Sequence, residues 1–328
     1  MRSAGADQDT SETHYLKCLR TEQKVLPILK QFRRAACHGM PVAWAQDHAD
    51  AAKSSKVKGN STTVQRYGSK MSTEFHVREA ANEPSPRVKP TPKSSSIPVP
   101  FSYTPSNDGT DENLLILLHG LAGDTHAPFS KLGRSLKLPQ TATLTLRAPE
   151  QIPYLYEEAY QWYESFDPLG EFLQRPNPTS ALDLLAKVLD HLTNDCAWPA
   201  HRIHLFGFAQ GGTVAAETAL RWWRERSTAL GSVVTVTGPL LSYPTSSNLC
   251  PMPILVFHRP PPAESALPRD AMTAFRKGFS TALEAQKAGE GMPRSKEEWE
   301  PIMKFWSERL GRRQVEDLYE VMSGASAA

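Results

Sequence analysis

The residues with the strongest chemical signature lie at 204–212, which read HLFGFAQGG. A strand-like run enters Gly207-Phe208-Ala209-Gln210-Gly211, and helical periodicity follows at once. In the G-x-S-x-G pattern a nucleophilic serine sits on a sharp strand-to-helix turn, flanked by glycines because neighbouring backbones come close. The chemistry of such a turn is acyl transfer: a hydroxyl attacks a carbonyl while backbone N–H groups hold the developing oxyanion. Here the middle residue is Ala209, and a methyl group attacks nothing. A second fragment, residues 114–123 (LLILLHGLAG), reads as a buried strand ending in His119-Gly120, with His119 90 residues before Ala209. Where this turn is catalytic, the loop after such a strand gives one oxyanion donor and the residue after the nucleophile gives the other. The corresponding backbone donors are Leu121 and Gln210.

These residues need a frame. Continuous apolar runs at 114–119, 141–146, 203–208, 233–236 and 254–257 alternate with helical spacing at 181–192, 212–224, 272–283 and 297–310. Unbroken apolar strands separated by helices predict an α/β, mostly parallel, doubly wound sheet covered on both faces. Residues 280–290 (STALEAQKAGE) read as helix, so a strand before the turn at 291–295 is poorly marked. Tyr154, Tyr156, Tyr160, Trp162 and Tyr163 form an aromatic stretch that either lines a ligand or packs.

The chain has 328 residues, 37 Lys+Arg against 35 Asp+Glu, and 40% hydrophobic residues. The charge is uneven, since residues 1–100 hold 16 basic and 9 acidic side chains. Residues 84–100 carry six prolines in seventeen positions, a composition that predicts an extended, solvated linker. The reading is therefore a basic, Pro/Ser-rich, largely disordered arm at 1–100, an α/β domain at 101–312 and a tail at 313–328. Within the arm only 14–36 looks capable of order, as an amphipathic segment interrupted by Pro27; Met71 could begin a shorter protein. The arm has few aromatics and no nucleic-acid motif, and no apolar run reaches the length of a membrane span. Cys18, Cys37, Cys196 and Cys250 form neither a disulfide framework nor a C-x-x-C pair. No metal motif and no cofactor is implied. The default location is cytoplasmic, with N-terminal targeting left open.

LLHGLAGDT (117–125), LPQT with LRAP (138–149), WYESF (162–166) and GFAQGGTVAAE (207–217) together resemble the phospholipase/carboxylesterase family, which includes the acyl-protein thioesterases. The resemblance, over roughly residues 100–310, implies an α/β-hydrolase fold and cofactor-independent cleavage of esters and thioesters by a Ser–Asp–His triad. It maps the nucleophile onto Ala209, the acid onto Glu264 in the loop after 253–257, and the base onto Arg294 in Gly291-Met292-Pro293-Arg294-Ser295. Some fungal branches of the family look similar at both the elbow and this turn. Arginine stays protonated at neutral pH and takes no proton from a nucleophile. The implied reading is a catalytically impaired hydrolase binding an acyl ester, thioester or lysolipid-like ligand. Two alternatives stand beside it: an active esterase with a displaced base, for which His258 is the best spare imidazole, and an interaction protein whose basic arm recruits a partner. His119 is expected to shape the oxyanion loop, and Cys250 to be a buried small hydrophobe.

Overall fold

The hexapeptides at 113–118, 141–146 and 203–208 are buried at every position, as strands covered on both faces must be. The computed structural model describes residues 88–121, 126–152, 158–245 and 248–313, together with the backbone of 76–78 and 320–322. In chain order the elements are β1 (His76–Arg78), β2 (Phe101–Thr104), β3 (Asn113–Leu118), α1 (Ala127–Leu136), β4 (Thr141–Leu146), β5 (Glu150–Gln151) and β6 (Tyr160–Gln161). They continue with α2 (Thr179–Asn194), β7 (Ile203–Phe208), α3 (Gln210–Arg226), β8 (Ser232–Val236), β9 (Cys250–His258), α4 (Ala271–Gly278), β10 (Phe279–Gln286), α5 (Lys296–Arg309) and β11 (Glu320–Met322).

Seven strands make one sheet in the order β10-β9-β8-β7-β3-β4-β2. Every neighbouring pair is parallel except β2, which runs antiparallel to β4. Successive side chains of a strand point to opposite faces, and the two cores follow that rule. Leu114, Ile116 and Leu205 meet Leu185 and Leu189 of α2, Val214 of α3 and Phe275 of α4 on one face. Leu115, Leu117, Phe206 and Phe208 meet Phe129 of α1 and Trp299, Ile302 and Trp306 of α5 on the other. Phe206 anchors α5, with ring centroids 5.9 Å from Trp299 and 5.8 Å from Trp306.

Three expectations change. The helix read at 272–283 ends at Gly278, and residues 279–286, read as helix, are strand β10. Parallel pairing along β9, from Phe279 opposite Cys250 to Gln286 opposite His258, outweighs the helical propensity of Ala, Leu, Glu and Gln, since tertiary pairing overrides so small a preference. The strand β2 escaped the sequence reading because FSYT is too short to show alternation. The described part of the proline-rich stretch is anchored at a few points, with most of its residues exposed: Ile97 and Val99 join the core, and the Lys93 N–H donates to His191 Nε2 at 3.1 Å. The segment 14–36 lies outside the described residues.

The sheet carries β7 at its centre, so the turn after β7 opens onto the edge formed by the C-terminal ends of the parallel strands, where such sheets bind ligands. Close approach fixes that turn. A Cβ on Gly207 would lie 2.1 Å from the Gly211 carbonyl oxygen, and one on Gly211 would lie 2.3 Å from the Leu118 carbonyl oxygen. Backbone cannot yield as a side chain does. Gly211→Ala should therefore lower stability by about 2–4 kcal/mol, read as the shift of a urea unfolding midpoint; an unmoved midpoint would show the packing to be looser than this.

Candidate active site

Ala209 stands at the N-cap of α3 with φ 48° and ψ −115°, a conformation that costs a non-glycine residue about 1–3 kcal/mol. Its N–H donates to Val236 O at 2.8 Å, and its carbonyl accepts from Thr213 N at 3.0 Å. Neighbours on both sides thus hold the turn, and the methyl group is half-buried. The side-chain hydroxyl of Thr213 is spent elsewhere, donating to Pro239 O at 2.7 Å.

The loop after β3 is built on His119, 1% exposed. The Ala148 N–H donates to its Nε2 at 2.9 Å, so Nε2 is the acceptor and Nδ1 carries the proton, donated to Gly120 O at 2.7 Å. The Trp162 indole N–H donates to His119 O at 2.7 Å. His119 is therefore a strut, and Leu121 is buried next to it. Gln210 contributes something sequence reasoning missed. Its Oε1 accepts from Trp162 N at 2.9 Å, while its Nε2 donates to Tyr163 O at 2.9 Å and Ser165 Oγ at 2.6 Å. The amide pins the aromatic segment against the turn; only a glutamine or asparagine beside the elbow hinted at it. Trp162 and Tyr163 are buried scaffold, and burial, helped by the nearby Glu217 charge, pushes the Tyr163 hydroxyl up to about 12. Tyr154 and Tyr156 lie outside the described residues.

The loops mapped onto acid and base are tied together by a different residue. Glu264 is exposed, and its own N–H donates to Glu290 Oε1 at 2.9 Å. Arg294 is exposed, with its N–H donating to Glu298 Oε2 at 2.8 Å. Between these loops lies Arg259, 1% exposed. Its guanidinium donates to the carbonyls of Lys287, Ala288, Gly291 and Met292 and, in bidentate fashion, to Glu298 at 3.1 and 2.9 Å. Every N–H of the fork is engaged. His258 turns to the α4 face, where its Nε2 meets Glu284 Oε1 at 2.9 Å and Arg276 holds the other oxygen of that carboxylate.

Two other imidazoles face a hydroxyl or thiol, but at the opposite end of the sheet. His204 and Ser232 open β7 and β8, with Nδ1 2.8 Å from Oγ. Burial, then the charges of Arg202 and His201, hold His204 down at about 3, so it stays neutral. His191, near the end of α2, lies 3.6 Å from Cys196 Sγ. Cys250 is buried and its thiol is pushed up to about 11 by that burial. Among the described residues no group of three or more His, Cys, Asp or Glu is placed to hold a metal ion, and no helix is long and apolar enough to cross a membrane.

A family model described as Phospholipase/Carboxylesterase matches residues 102–310. The chain belongs to the phospholipase/carboxylesterase family. An uncharacterized hydrolase of Mycosarcoma maydis is 40% identical over 221 residues, covering 65% of this chain and 82% of that protein. An uncharacterized hydrolase of Schizosaccharomyces pombe is 28% identical over 172 residues, covering 48% of this chain and 70% of its own length. Among solved structures, esterase PE8 superposes with a TM-score of 0.53 at 19% identity, over 65% of this chain and 99% of that one. Acyl-protein thioesterase 2 of Zea mays gives 0.52 at 21% identity, over 65% and 100%. At those identities the likeness is one of fold, and the α/β-hydrolase sheet expected from the sequence is the one observed.

The Arg259–Glu298 pair makes a pH prediction. Burial alone would raise the Glu298 carboxyl, but hydrogen bonds from Arg259 and the Arg294 N–H, with both charges, hold it below 4.5. A depressed carboxylate contributes stability above its unfolded value, and that contribution fades as pH falls through the folded one. Glu298→Gln should cost about 3 kcal/mol at neutral pH by stranding a buried cation. The difference from the unaltered chain should shrink in acid, well below 4.5; a pH-independent difference in urea unfolding would contradict the pairing.

Proposed function

We propose that this member of the family binds an acyl ester, thioester or lysolipid-like ligand in the retained cleft and does not hydrolyse it. The observation that carries this is Ala209 itself, held in the strained elbow conformation with a methyl where a nucleophile would stand. In this reading the Leu121 and Gln210 N–H groups are the oxyanion donors. Gln210 opens α3, whose first N–H groups have no intrahelical partner, and its side chain keeps that helix end seated against Trp162 and Tyr163. The carbonyl of a bound ester would be polarised there, but nothing attacks it.

The proton path is gone as well. Arg294 occupies the base position as a permanent cation, and Glu264 at the acid position is an exposed loop carboxylate facing no imidazole in the contacts described. Nearby hydroxyls are committed: Ser165 Oγ accepts from Gln210, and Thr213 Oγ1 donates to Pro239 O. Loss of nucleophile and base lowers turnover by roughly 10⁴–10⁶, leaving what binding and the oxyanion donors supply.

Incubation with a fluorophosphonate probe and with p-nitrophenyl esters tests the reading, with no stoichiometric labelling and near-blank turnover expected. Ala209→Ser alone should restore little, within about tenfold of the blank, because the new hydroxyl has no base to take its proton. Labelling of the unaltered chain, or a full rescue by that one change, would sink the proposal.

A further inference from the structure

Beside the turn lies a cation that no carboxylate among the described residues neutralises. Arg147 directly follows β4 at the ligand-binding edge of the sheet, and its guanidinium lies 4.1 Å over the Tyr160 ring. Stacking on an aromatic face holds the planar fork in place while leaving its N–H groups to point elsewhere. Its Nε is buried without a hydrogen-bond partner, and among the described residues no carboxylate pairs with it. His126, at the N-cap of α1, feels the same charge. Burial and Arg147 together hold its imidazole below the ordinary value, and its Nδ1 is also buried and unpartnered. Two adjacent side chains thus carry buried nitrogens without partners, which native folds keep only rarely.

Arg147 and the Tyr160 ring it stacks on connect to the elbow by short links. Ala148, the residue after Arg147, donates to His119 Nε2. Trp162, two residues after Tyr160, donates its indole N–H to His119 O and its backbone N–H to Gln210. Arg147 therefore flanks the oxyanion loop on the β4 side, His126 stands where the chain enters α1, and Ala209 lies on the β7 side. A guanidinium fork is the side chain best matched to a planar or tetrahedral oxyanion, and a neutral imidazole adds a donor without repelling it.

We propose that Arg147 and His126 form an anion-recognition subsite at the mouth of the cleft, so that the ligand is an amphiphile bearing a carboxylate or a phosphate. This rests on the reading of the cleft as a ligand-binding site and names the chemistry of that ligand. The acyl part enters the cleft and the charged group stays at the Arg147 fork. A free fatty acid and a lysophospholipid share the anion and differ in its kind.

Calorimetric titration of the full chain with octyl phosphate, octanoate and 1-octanol, each below its micellar concentration, decides the matter. At least one anion should bind about tenfold more tightly than 1-octanol, as expected for a charge-assisted contact replacing a neutral one. Preference for octyl phosphate assigns a phosphate head, and preference for octanoate assigns a free acid. Arg147→Gln should bring anion and alcohol to about parity while leaving alcohol affinity and the unfolding midpoint unchanged, and Arg147→Lys should keep part of the preference as a point charge. Equal binding of all three by the unaltered chain, or a preference that survives Arg147→Gln, overturns the subsite while the cleft remains a binding site. Failure of all three to bind overturns the subsite and the ligand-binding reading together.

Discussion

The approach of three backbones around Gly207 and Gly211 is the contact on which the site depends. The carbonyl of Leu118, the first turn of α3 and the end of β7 occupy space that a single Cβ at either glycine would need. Because β3, β7 and α3 meet so closely, the chain between them has one route, and that route forces positive φ at residue 209. The same closeness sets the loop after β3 beside the start of α3, which places the Leu121 and Gln210 backbones near each other. Geometry of this kind follows from packing and needs no nucleophile.

The other half of the site is organised around a buried cation. The loops after β9 and β10 converge on the Arg259 guanidinium, which takes four carbonyls and one carboxylate. A buried cation is tolerable only when its donors are satisfied and its charge is met, and both conditions are fulfilled by the loop after β10 together with Glu298 in the first turn of α5. Glu290 adds a second tie, accepting from Glu264 N and from the Ser265 hydroxyl. An imidazole shuttling a proton in this turn would need a nearby carboxylate free to orient it. Here Glu290 and Glu298 are both occupied in closing the loops.

The sheet and the elbow were legible in the sequence because both depend on local signals: unbroken apolar hexapeptides, and glycines at fixed offsets. The strand β10 was not, since nothing in STALEAQ distinguishes a strand that exists by pairing with β9 from an exposed helix. Arg259 and Gln210 escaped for a related reason. A lone arginine after a strand and a glutamine in a turn say nothing of the carbonyls they reach 28 and 47 positions away. Ala209 and Arg294, at the positions the resemblance assigns to nucleophile and base, are read from residue type alone and need no knowledge of contacts. The packing of Ile97 and Val99 was hidden by the prolines around them, which fix local extension but leave open whether an extended segment lies on the core or in water.

A persistent elbow with no attacking group becomes understandable once strain and chemistry are separated. The strain at residue 209 is imposed by its neighbours, so it remains whatever side chain stands there, and glycine would bear it most cheaply. Alanine keeps a Cβ in place and floors the cleft with a methyl. Serine would add a hydroxyl whose hydrogen-bonding needs, in this chain, no nearby base would meet. The fold therefore demands the turn but is indifferent to the oxygen. Packing places little demand on the side chain at residue 209, whereas a change at Gly207 or Gly211 would disturb three elements at once.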